Sequence, residues 1–262
     1  MSINNQWLIF FLYIPFHALA QPSTNLTLWY NEPAGATWEC ALPIGNGRLG
    51  AMIYGNADNE IIQLNEHTVW SGGPNRNDNP EALQKLDSIR QLLFDGKHKE
   101  AENLANRSFI TKKSHGQKFQ PVGNLNLLFP GHENYTNYYR ELDIDKAVTK
   151  TKYTVDQVSY TREAFASLSD RVIIMRITAN KPGKISFSAY YSSPHSKKTS
   201  DITAGRDLTL SGLTSTHETI EGKIKFKGIT RIKLDGGTLS VTDTSVIVTN
   251  ANSAILFISI TI

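Results

Sequence analysis

A single cysteine, Cys40, stands in the 262 residues, so no disulfide can close within the chain and its stability has to come from an apolar core. Histidine is sparse too. The seven histidines, at 17, 67, 98, 115, 132, 195 and 217, show no HxH, HExxH or other paired spacing, so no metal site can be read from them, and each reads as a surface or packing residue. Cys40, Ser71 and Ser193 lack the neighbours of a nucleophile elbow or a Cys/His site. Lys and Arg total 27 against 24 Asp and Glu, a formal balance of +3, and no basic cluster of nucleic-acid-binding size is present. Lys197-Lys198 and Lys223, Lys225, Lys227 read as solvent-facing residues of loops or strands. The apolar run Trp7 to Phe16 is too short to span a bilayer. It has the length of a signal h-region, and Ala18-Leu19-Ala20 supplies a small-x-small cleavage pattern. This predicts a signal peptide over residues 1–20, cleavage before Gln21, a secreted or periplasmic protein and no membrane span afterwards.

What the chain does have is glycine, concentrated between Leu42 and Pro74 at positions 45, 47, 50, 55, 72 and 73. Two short apolar runs, Ala51 to Tyr54 and Ile61 to Leu64, lie between these glycines, a pattern of strands punctuated by turns. Gly45-Asn46-Gly47-Arg48-Leu49-Gly50 fits GxGxxG, yet no helix can follow it, because Gly55-Asn56 breaks the chain first; a dinucleotide site is therefore rejected. Arg48, Asn65, Glu66 and Trp70 fall at the ends of the apolar runs, where a β scaffold presents side chains. They are the candidates for contact with substrate or with a neighbouring domain. A Trp beside Gly-Gly also serves as a core plug, and a domain-interface or core role for Trp70 is favoured over direct sugar contact.

The rest reads mainly as strand. Leu26 to Tyr30 alternates like an edge or first strand, and Trp38, Cys40 and Leu42 share a period of two. Strands near 48–54 and 60–64 pair across Asn56-Ala57-Asp58-Asn59. The exception is a helical insertion near 80–106. Asn79 can cap it, Pro80 suits its first turn, Asp95-Gly96 ends its first helix, and Lys97 to Asn106 forms a second. Its stripe Leu83, Leu86, Ile89, Leu92-Leu93 is expected to pack as core against the sheets. From Gly123 onward short strands recur to the end, with turns such as Asp156-Gln157, Pro182-Gly183 and Asp235-Gly236-Gly237. More than a dozen such strands predict a large antiparallel β-sandwich. Ala254 to Ile262 reads as a central strand that stops without a polar tail, so the chain is expected to be a C-terminally truncated fragment.

Leu42-Pro43-Ile44-Gly45-Asn46-Gly47-Arg48-Leu49-Gly50-Ala51-Met52 and Gln63-Leu64-Asn65-Glu66-His67-Thr68-Val69-Trp70-Ser71-Gly72-Gly73-Pro74 resemble the N-terminal domain of glycoside hydrolase family 95. So do Gln120-Pro121-Val122-Gly123-Asn124-Leu125 and Tyr138-Tyr139-Arg140-Glu141-Leu142-Asp143-Ile144. The resemblance implies that residues 21–262 are the N-terminal β-supersandwich of a secreted or periplasmic α-L-fucosidase whose partner is an (α/α)6 catalytic barrel in the same full-length chain. It implies a fucosylated glycan as substrate, no cofactor, and an inverting mechanism. A Glu protonates the leaving oxygen while an Asp, with Asn residues, activates water, the two standing far enough apart to hold sugar and water between them. Those residues belong to the barrel, so no catalytic residue is expected here. At the position of His67 the family often carries an acidic residue, which argues against His67 as a catalyst. Glu32, Glu39, Glu66 and Asp78 are read as loop carboxylates rather than a glycosidase pair. The alternatives are a free-standing carbohydrate-binding module and the N-terminal domain of a family 65 type phosphorylase or hydrolase.

Overall fold

A computed structural model describes residues 26–74, 76–111, 115–203 and 205–262, and the expected signal peptide lies outside the described residues. The chain folds into two stacked antiparallel sheets. In chain order the strands are β1 (Thr27–Tyr30), β2 (Leu42–Gly45), β3 (Leu49–Ile53), β4 (Asn59–Glu66), β5 (Gly123–Leu128), β6 (Thr136–Asp143), β7 (Val148–Val155) and β8 (Val158–Ala166). They continue as β9 (Ile173–Ala179), β10 (Ile185–Ser192), β11 (Lys198–Ile202), β12 (Leu208–Leu213), β13 (Lys225–Asp235), β14 (Thr238–Val241), β15 (Ser245–Ala251) and β16 (Ser253–Thr261). One sheet has nine strands in the order β1-β6-β7-β8-β9-β16-β13-β12-β11, and the other seven in the order β14-β15-β10-β5-β4-β3-β2. The expected mainly β sandwich is therefore the observed fold.

Period-two alternation decides which side chains meet between the sheets. Ile62 and Leu64 of β4, Leu125 and Leu127 of β5, and Phe187 and Ala189 of β10 face Met175 and Ile177 of β9 and Leu256 and Ile258 of β16, all buried. β16 is an interior strand of its sheet, hydrogen-bonded to β9 on one side and β13 on the other. The β7–β8 hairpin turns through Asp156 (φ 48) and Gln157 (φ 60), two consecutive left-handed residues as a two-residue hairpin loop requires.

Two expectations need correction, and one strand was not foreseen. Trp38 to Cys40 is a 3-10 turn, not a strand, because the Ala41 N–H bonds back to the Trp38 carbonyl at 3.1 Å; extended backbone starts only at Leu42. β11 had no signal in the sequence, since its residues, Lys198-Thr199-Ser200-Asp201-Ile202, form a polar edge strand. The helical insertion exists, as α1 (Ala82–Phe94) and α2 (His98–Ser108), but the two helices pack chiefly on each other and not against the sheets. Ile89 and Ala101 are buried in the hairpin, whereas Leu83 and Leu93 of the expected stripe are 80% and 47% exposed. An apolar stripe on a two-helix projection divides between the partner helix and solvent. The cap is close to expectation: Asn79 Oδ1 accepts from the Glu81 N–H at 3.0 Å, and Gly96 closes α1 at φ +74.

One polar group crosses the apolar interior. The guanidinium of Arg162, on β8, reaches the opposite sheet, where its Nη1 donates to the Asn56 carbonyl (2.6 Å) and to Glu60 Oε2 (3.1 Å). Its Nη2 donates to the Ala57 carbonyl and to the Tyr153 hydroxyl (2.6 Å), while the group lies 4.0 Å from the centre of the Phe129 ring. The second carboxylate oxygen of Glu60 accepts the Gly55 N–H at 2.7 Å. Gly55 itself has φ +74, and a Cβ there would stand 2.7 Å from the Tyr138 hydroxyl, so glycine is required on both counts. Burial pushes the Glu60 carboxyl above its usual range, against the pull of Arg162. Removing one partner strands the other charge. Glu60→Ala or Arg162→Ala is expected to cost about 3–5 kcal/mol in urea unfolding, whereas the paired replacement Glu60→Leu with Arg162→Met should recover most of that loss.

Candidate functional site

The end of the β3–β4 hairpin brings the candidate residues to one corner of the sandwich. The Gly-rich motif forms the tight β2–β3 turn: Asn46 Oδ1 accepts the N–H groups of Arg48 (3.1 Å) and Leu49 (2.8 Å), and Gly47 takes φ +84. Strand β3 follows it, so no helix N-terminus is available to hold a phosphate. The Asn46 amide also donates to the Ser167 carbonyl at 2.7 Å, tying this turn to the end of β8 in the other sheet.

Glu66 closes β4 on the inward-pointing register, and its side chain is 0% exposed. Its Oε2 accepts the Thr68 N–H (2.8 Å) and hydroxyl (2.5 Å), which folds the chain back at Val69, whose N–H reaches the Glu66 carbonyl at 3.1 Å. Its Oε1 lies 3.2 Å from Arg48 Nε and 3.2 Å from His67 Nδ1. The carboxylate thus pins a turn. Oε2 makes the hydrogen bonds, whereas Oε1 stands at ion-pair distance from Arg48 and His67 without accepting a hydrogen bond, and the whole carboxylate is shielded from solvent.

Asn65 precedes Glu66 and, by strand alternation, points to the opposite face, where it is half-buried across from Gly50. Trp70 is 43% exposed and is not a core plug. Its Nε1 donates to the His67 carbonyl at 2.9 Å, and its ring meets Phe119 edge to face at 5.6 Å. The structure therefore joins Arg48 to Glu66, sets Trp70 beside them, and sends Asn65 elsewhere.

Two clefts lie away from this corner. One, about 390 Å³, runs over the outer face of the nine-stranded sheet across Glu141, Lys150, Glu163, Phe165 and Arg176. Lys150 bridges Glu141 (3.5 Å) and Glu163 (3.3 Å) there, so the carboxylates neutralise their own neighbours. The other, about 300 Å³, opens over His132, Asp156, Tyr160 and Lys184. His132 sits in a cage of Phe129, Tyr153 and Tyr160, with Nδ1 at 2.9 Å from the Tyr153 hydroxyl that also receives Arg162. Burial, and then the nearby Arg162 charge, lowers its pKa to about 4. Among the described residues no group of three or more His, Cys, Asp and Glu side chains is placed to hold a metal ion. Sequence reasoning missed the Glu60–Arg162–Tyr153–His132 chain. The one available signal was Glu60, a carboxylate on the inward register of a strand otherwise lined by Ile62 and Leu64.

A sequence profile described as glycosyl hydrolase family 65, N-terminal domain, matches residues 28–261. Alpha-L-fucosidase 2 from Arabidopsis thaliana is 42% identical over 177 residues, covering 65% of this chain and 20% of that protein. Proteins named "Probable alpha-fucosidase A" are 31% identical over 173 residues in Aspergillus niger and 25% identical over 168 residues in Aspergillus oryzae. Those matches cover 62% and 60% of this chain and 21% and 22% of the respective relatives. The chain spans about a fifth of the length of these curated relatives.

The corner and the cage lead to separate expectations. Glu66→Ala should lower stability by about 2 kcal/mol, because the Thr68 N–H and hydroxyl lose their acceptor and Arg48 its counter-charge, while Trp70→Ala should cost less than about 1 kcal/mol; urea unfolding of both variants checks the order. The His132 ring is neutral in the fold and protonates readily once unfolded, where its pKa is near 6.5. Below that value the unfolded chain binds the extra proton, so stability is complete above about pH 6.5 and falls as pH drops towards about 4. The loss attributable to this ring should be roughly 2 kcal/mol, allowing for solvent in the cleft. His132→Phe should flatten that slope in unfolding curves measured at pH 7.5, 5.5 and 4.5.

Proposed function

The chain belongs to the family of glycosyl hydrolase family 65 N-terminal domains, and we propose on that footing that it is the non-catalytic N-terminal sandwich of a secreted or periplasmic α-L-fucosidase of the family 95 type. In this reading the chain braces a separate catalytic barrel, which removes terminal α-L-fucosyl groups from glycans with inversion. The observation that carries it is the 42% identity to a relative named alpha-L-fucosidase 2, of which this chain matches 20%. The state of Glu66 supports the non-catalytic part. An inverting pair needs two carboxyl groups facing a space of about 6.5–9.5 Å that holds sugar and water. Glu66 instead is fully shielded, with Oε2 bonded to Thr68 and Oε1 held at ion-pair distance from Arg48 and His67. The apolar leader Trp7 to Phe16 with Ala18-Leu19-Ala20 supports export. A family 65 type phosphorylase or hydrolase is the second reading, favoured by the description of the matched profile.

Cloning the reading frame through its full extent and assaying an aryl α-L-fucoside separates these readings. The proposal expects phosphate-independent release of the aglycone by the longer polypeptide, β-L-fucose as the first product by NMR, and no turnover above background from residues 21–262 alone. Glu66→Gln in the longer enzyme should leave kcat within about twofold. Turnover by the 262-residue chain that Glu66→Gln abolishes would refute the non-catalytic assignment, and strict dependence on inorganic phosphate would favour the phosphorylase.

A further inference from the structure

The two sheets differ in the surface they turn outward. On the nine-stranded sheet charge recurs strand after strand: Glu141, Lys150, Glu163 and Arg176 lie in one register row across β6 to β9, and Arg231 and Lys233 extend the pattern on β13. The seven-stranded sheet has none. Glu60 and Glu66 are the charged residues of its strands, and both point inward with fully shielded side chains. Its outer face carries amides and hydroxyls in register, interleaved with apolar side chains such as Ile61, Leu128 and Ile247. Gln63, Asn124 and Ser192 form one row across β4, β5 and β10, and Asn126 and Tyr190 stand in the next.

We infer that this uncharged outer face of the seven-stranded sheet is the surface on which the rest of the longer polypeptide packs. The inference rests on the reading that the chain is one domain of a larger enzyme. A solvated sheet face ordinarily carries charge, as the nine-stranded sheet does, whereas the centre of a protein interface is depleted of it. Size agrees with this assignment. Seven strands at ~4.8 Å spacing and about five residues each present roughly 500 Å², so about 1,000 Å² is covered when both partners are counted, within the inter-domain range of about 600–1,500 Å². A neutral partner surface is required, because a Lys or Glu buried there would find no countercharge on this side. The loop at 34–41 already illustrates such covering: Ala34 and Ala41 pack with Tyr54 against Met52 and Ile61 at one corner of the same face.

Hydroxyl-radical footprinting of the full-length polypeptide tests this by comparing two half-exposed tyrosines, Tyr190 on the uncharged face and Tyr139 on the charged one. Tyr190 should be oxidised at least fivefold more slowly than Tyr139. Ser188→Lys combined with Ser192→Lys should abolish that protection and split one melting transition into two, while Thr161→Lys on the other sheet should do neither. Equal oxidation of the two tyrosines overturns the inference. So does protection that appears only on adding a fucosylated oligosaccharide, which would make the face a glycan site, or protection that scales with protein concentration alongside a dimer mass, which would assign it to a second copy. Absence of fucosidase activity counts against the parent-enzyme reading alone, since the tyrosine ratio is read independently of activity.

Discussion

The contact on which the sandwich depends most is the guanidinium of Arg162 crossing from β8 to Glu60 and the 55–57 backbone of the other sheet. Apolar packing between sheets is tolerant of sliding, because one aliphatic side chain replaces another at little cost. A buried cation with several fixed acceptors is not. Its Nη1 and Nη2 find their acceptors only when the β4 start, the 55–57 turn and the β7–β8 hairpin stand in one relative position, and the Phe129 and Tyr153 rings close over it. Arg140 repeats the device nearby, donating to the Glu32 carbonyl at 2.7 Å and the Cys40 carbonyl at 2.8 Å and so fixing the N-terminal loop to β6.

With the frame locked at one place, the Gly-rich stretch reads as structure. The turn at 45–50 and the lock around Glu66 are two ends of one hairpin, each held by a side chain accepting backbone N–H groups: Asn46 in the first, Glu66 in the second. Motif density there reflects the geometric demands of short turns joined to fully buried strands. Arg48 completes the arrangement by lying beside the Glu66 carboxylate, which would otherwise be a lone charge at the sheet end.

The strands, the hairpin at Asp156-Gln157 and the rejection of a nucleotide site were legible in the sequence because alternation and turn chemistry are local properties. The pairing partners of the strands were not. Arg162 shares the inward parity of Val158, Tyr160 and Ala164, but nothing near it in sequence shows what a buried guanidinium would pair with; only the distant acceptors at 56, 57 and 60 supply that. The helical stripe misled for the same reason, since spacing identifies a face but not what covers it. At the corner, the candidates Arg48, Asn65, Glu66 and Trp70 lie close in sequence, but their side chains do not share one face. The direction of each side chain follows from register, which separated Asn65 from Glu66 and left Trp70 in solvent.

The position of β16 has a consequence for biosynthesis. This interior strand of the nine-stranded sheet is the last of the sixteen to leave the ribosome, and it joins β1 and β6 to β9 on one side to β11 to β13 on the other. Until residues 253–261 emerge, the flank of β9 and the flank of β13 are both open edges facing each other across a missing strand. Two half-sheets therefore wait through translation, and their union by a segment far away in the chain makes closure slow and dependent on protection from nascent-chain aggregation.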